Sequence, residues 1–201
     1  MSQDVFSEEF WDERYGSEAR IWSGRPNPQL VDRVTPLPGG RALDAGCGEG
    51  ADAVWLARQG WTVTALDVSQ VALDKAAAHA ADAAVGASMT WRRVDLDGWP
   101  GEPGAYDLVS AQFMYLDQPA LTDLYRALGA SVAPRGTLLL VGHHPRDERH
   151  GDHDFPDMRW TGEDVAAWLD PADWTSIEVA TVARAGHLGT VHDAIVQAVR
   201  A

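Results

Sequence analysis

The sequence predicts an α/β protein: a seven-stranded, mostly parallel, doubly wound sheet with helices on both faces and an antiparallel C-terminal edge strand. Three observations predict it. Short apolar runs alternate with longer helical patterns, as repeated βαβ units require. Residues 137–142 (Thr-Leu-Leu-Leu-Val-Gly) form a continuous apolar run, which suits a strand buried on both faces. The last two β-rich runs, 174–183 and 190–199, have no helix between them, so they should pair as an antiparallel hairpin.

The elements follow in order. Residues 41–45 read as a strand ending in a glycine loop, Gly46 to Gly50. Ala53, Val54, Leu56 and Ala57 place a helix over 51–59, closed by Gly60. Residues 61–66 are a second strand, and Ser69 is an N-cap for an Ala-rich helix to about Val85. Strands follow at 89–94 and 106–111, then a helix over 120–132 stopped by Pro134. Beyond the apolar strand, Thr161 should cap a helix over 161–169, with Glu163 and Asp164 in its first turn. A single domain over 1–201 is expected: a helical preamble (1–35), a core (36–142), a lid loop (143–160), then a helix and terminal hairpin (161–201).

Composition narrows the partners. The chain has 201 residues, with 16 basic and 30 acidic side chains, a formal charge of −14. Such a surface repels a phosphate backbone, and Lys75 is the sole lysine, so neither nucleic acid nor an anionic membrane is expected. No apolar run is long enough to span a bilayer, and the acidic start is unlike a signal peptide. One cysteine, Cys47, excludes an internal disulfide framework. A soluble, cytoplasmic protein is the expectation.

The chemistry starts at Leu43-Asp44-Ala45-Gly46-Cys47-Gly48-Glu49-Gly50, between a strand and a helix. Open α/β sheets bind ligands at the carboxyl ends of their strands, and glycines let a ligand approach the backbone. Asp67 ends the next strand, placed to hold the two hydroxyls of a ribose. Gly46, Gly48 and Ala51 would also make a dinucleotide fingerprint, the pattern of a nicotinamide oxidoreductase. Charge favours another cofactor. Asp44 and Glu49 would repel a pyrophosphate, whereas a ligand carrying an ammonium and a sulfonium gains from a carboxylate.

Over nearly its whole length the chain resembles class I S-adenosylmethionine-dependent methyltransferases, a Rossmann-like fold. Leu43–Gly50 matches motif I, Ala65-Leu66-Asp67-Val68-Ser69 motif II, and Tyr106-Asp107-Leu108-Val109-Ser110 motif IV. The preamble Phe10-Trp11-Asp12-Glu13-Arg14-Tyr15 resembles the small-molecule branch with the tellurite-resistance and thiopurine enzymes. Gly142-His143-His144-Pro145 resembles an actinobacterial subgroup of it. The resemblance implies S-adenosyl-L-methionine as cofactor. It implies that Gly46 and Gly48 cradle the methionine portion, with Asp44 beneath, and that Asp67 holds the ribose. Val68 and Leu96 would lie by the adenine, and Asp95 would accept from its amino group. Backbone at Ala111 and Gln112 would lie near the methionine ammonium, and Trp11, Tyr15 and Trp22 would fold over the cofactor.

The acceptor is read from the remaining residues. A thiolate, selenide or tellurite-type acceptor needs mainly alignment, whereas a hydroxyl needs a base. His143 and His144 end the fifth strand, and His144, further out, is the expected base. Tyr115 is a second candidate for proton transfer. Trp11, Trp22, Phe113, Met114, Tyr115, Phe155 and Trp160 are expected to wall the cleft, which suits planar rings and sugar faces. Trp61, Trp91 and Trp174 open strands and Trp55 and Trp168 lie on helices, so these are expected to be packing residues. O-methylation of a sugar or other polyhydroxylated small molecule is favoured over S-, Se- or Te-methylation in detoxification. Asp147, Glu148, His150, Asp152, His153, Asp154 and Asp157 could ligate a divalent metal, but a solvated acidic loop is the favoured reading. The edge hairpin and the N-terminal helix each offer a surface for a homodimer.

Overall fold

A computed structural model of the chain describes residues 7–146, 158–186 and 189–201, without the side chains of 185, 186 and 189. It comprises two compact units, Met1–Trp99 and Pro100–Ala201. The expected lid falls largely in 147–157, outside the described residues.

The first unit opens with α1 (Glu8–Gly16) and α2 (Pro28–Val34). Each starts on a side-chain cap: Ser7 accepts from the Phe10 N–H, and Asn27 from the Gln29 N–H. Then come β1 (Arg41–Ala45), α3 (Ala51–Arg58), β2 (Thr62–Asp67), α4 (Gln70–Asp82) and β3 (Met89–Arg93). The three strands are parallel, β2 lying between β1 and β3. Their register sets Asp44 beside Ala65 and Asp67 beside Arg93, so the strands finish together at the glycine loop.

The second unit holds β4 (Tyr106–Gln112), α5 (Gln118–Ser131), β5 (Val132–His143), α6 (Gly162–Ala166), β6 (Trp174–Gly186) and β7 (Gly189–Arg200). Asp117 caps α5, and α6 begins on a capping box between Thr161 and Asp164. β4 and β5 are parallel, and the terminal hairpin is antiparallel, as its missing helix requires. β7 pairs with both β5 and β6, so the reversed strand lies one place in from the edge and β6 takes the edge. Burial explains the order. Ala194, Ile195 and Val196 are consecutive and buried, so β7 needs cover on both faces, whereas β6 leaves Thr175, Ser176 and Glu178 exposed.

Pro134 does not stop α5. The helix ends at Ser131 and passes directly into β5, whose early stretch shifts register against β4 around Pro134 and Arg135. Missing its N–H, proline is tolerated where the ladder is already irregular. No helix among the described residues is long and apolar enough to cross a membrane.

Candidate functional site

In the first unit, Gly46, Gly48 and Gly50 all have positive φ (69°, 50° and 81°). Side-chain-bearing residues rarely adopt that backbone, so the G-x-G-x-G spacing is a geometric requirement of the loop. A Cβ on Gly50 would lie 2.7 Å from Ala76 Cβ, so this glycine lets α3 approach α4. A Cβ on Gly48 would lie 2.8 Å from the Tyr15 hydroxyl, so here the preamble closes onto the loop.

Four carboxylates surround the loop. Asp44 is buried, and its Oδ2 has no hydrogen-bond partner. Burial, then Asp52 and Asp67, hold its carboxyl well above the usual range, against a hydrogen bond from the Ala53 N–H. Asp67 accepts from the Gly48 N–H at 2.8 Å and the Ser69 N–H at 2.9 Å. Burial still pushes it up to about 6. Asp52 also stands at about 6 through burial, although it accepts from the Asn27 N–H at 2.6 Å. Glu49 is the fourth and has a different task.

Glu49 is 4% exposed and accepts from the backbone N–H groups of Ile21 and Trp22, at 3.2 and 3.1 Å. Lys75, on α4, bridges it at 3.3 Å and donates to the carbonyls of Tyr15 (2.5 Å) and Glu18 (2.6 Å). A second clasp links Arg20 to His79 Nε2 at 2.9 Å, with His79 Nδ1 2.9 Å from the Glu49 carbonyl. Asp12 on α1 accepts from Ser69 Oγ at 2.5 Å and lies at the N-terminus of α4, where a carboxylate is favoured. These contacts strap residues 15–22 across the loop, and Trp22 Nε1 donates to the Tyr15 hydroxyl at 3.1 Å. Trp11 and Tyr15 are buried, whereas Trp22 is 41% exposed. The sequence reading missed this strap. Its signal was the sole lysine lying on the helix that packs beside a loop glutamate.

The remaining expected cofactor contacts are spread along the strand ends. Val68 follows β2 and is half-buried. Asp95 is exposed past β3 and accepts from the Asp97 N–H at 3.0 Å, while Leu96 is buried. In the second unit Ala111 is buried, and Gln112 donates to Ser110 Oγ at 2.7 Å. Tyr115 is half-buried beyond β4.

The structure separates the two histidines. His144 is 7% exposed, and its Nδ1 accepts from the Arg146 N–H at 3.0 Å. Burial, then the Arg146 charge, holds its pKa below the usual value, so the ring is neutral near pH 7. With Nδ1 accepting, the ring proton sits on Nε2. Nδ1 is committed to the Arg146 N–H as the ring is held, and His144 is less exposed than His143. His143, on the opposite face by strand alternation, is half-buried. Trp160 is also not a cleft wall. It is 5% exposed, stacks edge-on with Tyr125, and fills the space that a Cβ on Gly142 would enter at 2.5 Å. Phe155 and the acidic residues from Asp147 to Asp157 lie outside the described residues. Among the described residues no group of three or more His, Cys, Asp or Glu side chains could hold a metal.

A positive-φ glycine loop above a buried carboxylate with a partnerless oxygen fits a cationic nucleoside cofactor. Comparison with known proteins gives the class. Residues 42–136 match the family described as "Methyltransferase domain". The chain is 33% identical over 166 residues to a ubiquinone biosynthesis O-methyltransferase of Xanthomonas campestris pv. campestris, covering 73% of this chain and 69% of that protein. The chain therefore belongs to the class I S-adenosylmethionine-dependent methyltransferases, and S-adenosyl-L-methionine is its methyl donor. That sets the nicotinamide oxidoreductase aside. Solved structures agree on the Rossmann-like, seven-stranded fold. One, from a study of the conversion of a disulfide bond into a thioacetal group during echinomycin biosynthesis, has a TM-score of 0.73 at 23% identity, over 96% of this chain and 92% of that one. TehB from Haemophilus influenzae has a TM-score of 0.70 at 15% identity, over 96% of this chain and 67% of that one.

Proposed function

We propose that the protein transfers the methyl group of S-adenosylmethionine to a hydroxyl oxygen of a small, polyhydroxylated molecule, with a histidine as base. The carrying observation is the half-buried His143 at the end of β5, with a buried carboxylate, Asp193, paired in register with it on β7. A thiol or selenide acceptor would need no such group. The name of the Xanthomonas relative, an O-methyltransferase, supports the same acceptor atom.

On this reading the ammonium of the cofactor supplies the cation that Asp44 Oδ2 lacks. Asp67 takes the ribose hydroxyls with its remaining lone pairs while still holding the Gly48 N–H. Val68 and Leu96 flank the adenine, and Asp95 accepts from its amino group. Trp11, Tyr15 and Trp22 close over the donor and exclude water. The sulfonium makes the methyl carbon electrophilic, so the residues' main work is alignment and deprotonation. Ala111 and Gln112 stand at the end of β4, and Tyr115 just past it.

The test is a screen with isotopically labelled methyl donor against polyols, sugars, phenols, thiols, selenide and tellurite. A labelled methyl ether is expected. Label found solely on sulfur, selenium or tellurium would replace this reading with the detoxification one.

A further inference from the structure

We propose that Arg20 and His79 form a proton-sensitive latch on the strap across the glycine loop, shut while the His79 imidazole is neutral and released when the ring takes up a proton. Both are positioning residues, acting on the cofactor through the strap. The inference rests on the reading above that this segment closes over the methyl donor, and deepens it.

The partners of His79 fix its protonation. Arg20 Nη2 lies 2.9 Å from Nε2, and the Glu49 carbonyl oxygen lies 2.9 Å from Nδ1. A guanidinium has donors and no acceptor, so Nε2 accepts. A backbone carbonyl accepts, so Nδ1 carries the hydrogen. While both contacts hold, the ring is therefore neutral and in its Nδ1–H form. A further proton has one place to go, Nε2, and Arg20 already points a hydrogen there. The imidazolium can keep the Glu49 carbonyl, but it faces Arg20 as one cation faces another.

Arg20 is confined from its other side. Gly24 has φ +67°, and a Cβ there would overlap the Arg20 guanidinium. The chain turns back on the arginine there, and the missing side chain lets it. Between Arg20 and Gly24 lie Ile21 and Trp22, whose N–H groups donate to the Glu49 carboxylate at 3.2 and 3.1 Å. Trp22 Nε1 in turn donates to the Tyr15 hydroxyl, which lies against Gly48. The latch and the grip on the loop are adjacent in the chain, so release of the first loosens the second.

Several charged groups stand around His79. The strap brings Arg20 and the loop brings Glu49. Along α4, Lys75 lies one turn before and Asp82 three residues after. The Glu49 carboxylate favours an imidazolium, but Lys75 and the two strap amides already engage it. Lys75 and Arg20 oppose an imidazolium, and Asp82 is exposed, where water and salt screen it. Asp12 of α1 is taken up by Ser69 Oγ, and Asp52 of α3 by the Asn27 N–H. Histidine is the side chain whose ordinary titration falls between pH 5 and 8. Opening takes up one proton, so the ratio of shut to open falls with falling pH, by at most about tenfold per pH unit.

The experiment follows the Ile21 and Trp22 amides by hydrogen exchange in the unliganded protein, as protection factors corrected for the pH dependence of intrinsic exchange. Wild-type protection should fall about tenfold from pH 7.5 to 5.5. His79→Gln offers an oxygen to Arg20 and an amide hydrogen to the Glu49 carbonyl, and does not ionise. Its protection should stay within about threefold of the wild-type value at pH 7.5, and hold at pH 5.5. Calorimetry with S-adenosylhomocysteine should show wild type losing about fivefold or more in affinity relative to His79→Gln over the same interval. The titration of Asp67 is common to both proteins and cancels in that comparison. A wild-type fall in protection of less than twofold, or an equal fall in His79→Gln, overturns the latch. Arg20→Met, at an exposed position, keeps the test decisive if His79→Gln fails to fold. It should lower protection at pH 7.5 and flatten the pH dependence, and a dependence as steep as wild type overturns the latch. Protection that follows pH while the affinity ratio stays flat overturns instead the closing of the strap over the donor, which is a separate outcome.

Discussion

Replacing Lys75 with methionine should release the strap across the glycine loop. Methionine keeps much of the aliphatic stem, so packing changes little while three polar contacts disappear. The ammonium gives up Glu49 at 3.3 Å and the carbonyls of Tyr15 and Glu18 at 2.5 and 2.6 Å. Breaking a buried pair by removing one partner costs about 3–5 kcal/mol. Two features reduce that here. The Lys75 side chain is 22% exposed, and Glu49 keeps the N–H groups of Ile21 and Trp22. About 2 kcal/mol remains, roughly the value of one charge-assisted hydrogen bond. If the cofactor binds with the preamble closed, the same energy appears in its affinity. At 1.4 kcal/mol per tenfold, that is about 30-fold weaker binding. Calorimetry with S-adenosylhomocysteine measures the affinity, and amide exchange at Ile21 and Trp22 measures the strap directly. Affinity within threefold of wild type, with both amides as protected as before, would refute the reasoning.

Other outcomes follow from the same site. Asp67 stands at about 6, above the unfolded value of about 3.9, so the native state holds its proton more tightly than the unfolded chain. Stability of the unliganded protein should therefore fall by about 2 kcal/mol as pH rises from 4 to 6, followed by chemical denaturation. Affinity for the cationic cofactor should rise from pH 5 to 7 as Asp67 ionises; a flat affinity over that range would exclude its role. Gly48→Ala meets both a φ of +50° and the Tyr15 hydroxyl at 2.8 Å, so it should cost about 1–2 kcal/mol in a melt and weaken cofactor binding at least tenfold. Trp160→Ala should destabilise the protein by about 3–5 kcal/mol, since the ring fills the space above Gly142. Chelation should leave turnover intact, and a reversible loss would make the 147–157 loop a metal site.

Local chemistry was legible before any contact was known. The caps at Ser69 and Thr161 are written beside the helices they start, and both hold in the structure. The G-x-G-x-G run announced a loop that only glycine can form. Less legible was anything decided by long-range partners. Pro134 reads as a helix stop, yet the helix ends earlier because Val132 already pairs with Tyr106. His144 reads as the outer histidine of a strand end, but the Arg146 N–H and burial claim it. Trp160 reads as a wall and is a plug, because glycine at 142 leaves a hole of its size.

By itself, then, the sequence determined the class: an acidic α/β chain whose Asp44, glycine loop and Asp67 suit a cationic nucleoside cofactor. Those features are local, and spacing along the chain records them. Only the tertiary structure decided which charges meet. Glu49 finds Lys75 from another helix, and Asp193 finds Arg184 and His143 across two strand pairings. A carboxylate is the same letter whether water or an ammonium surrounds it. Burial and the partner brought by the fold set its free energy, and neither is written at its own position.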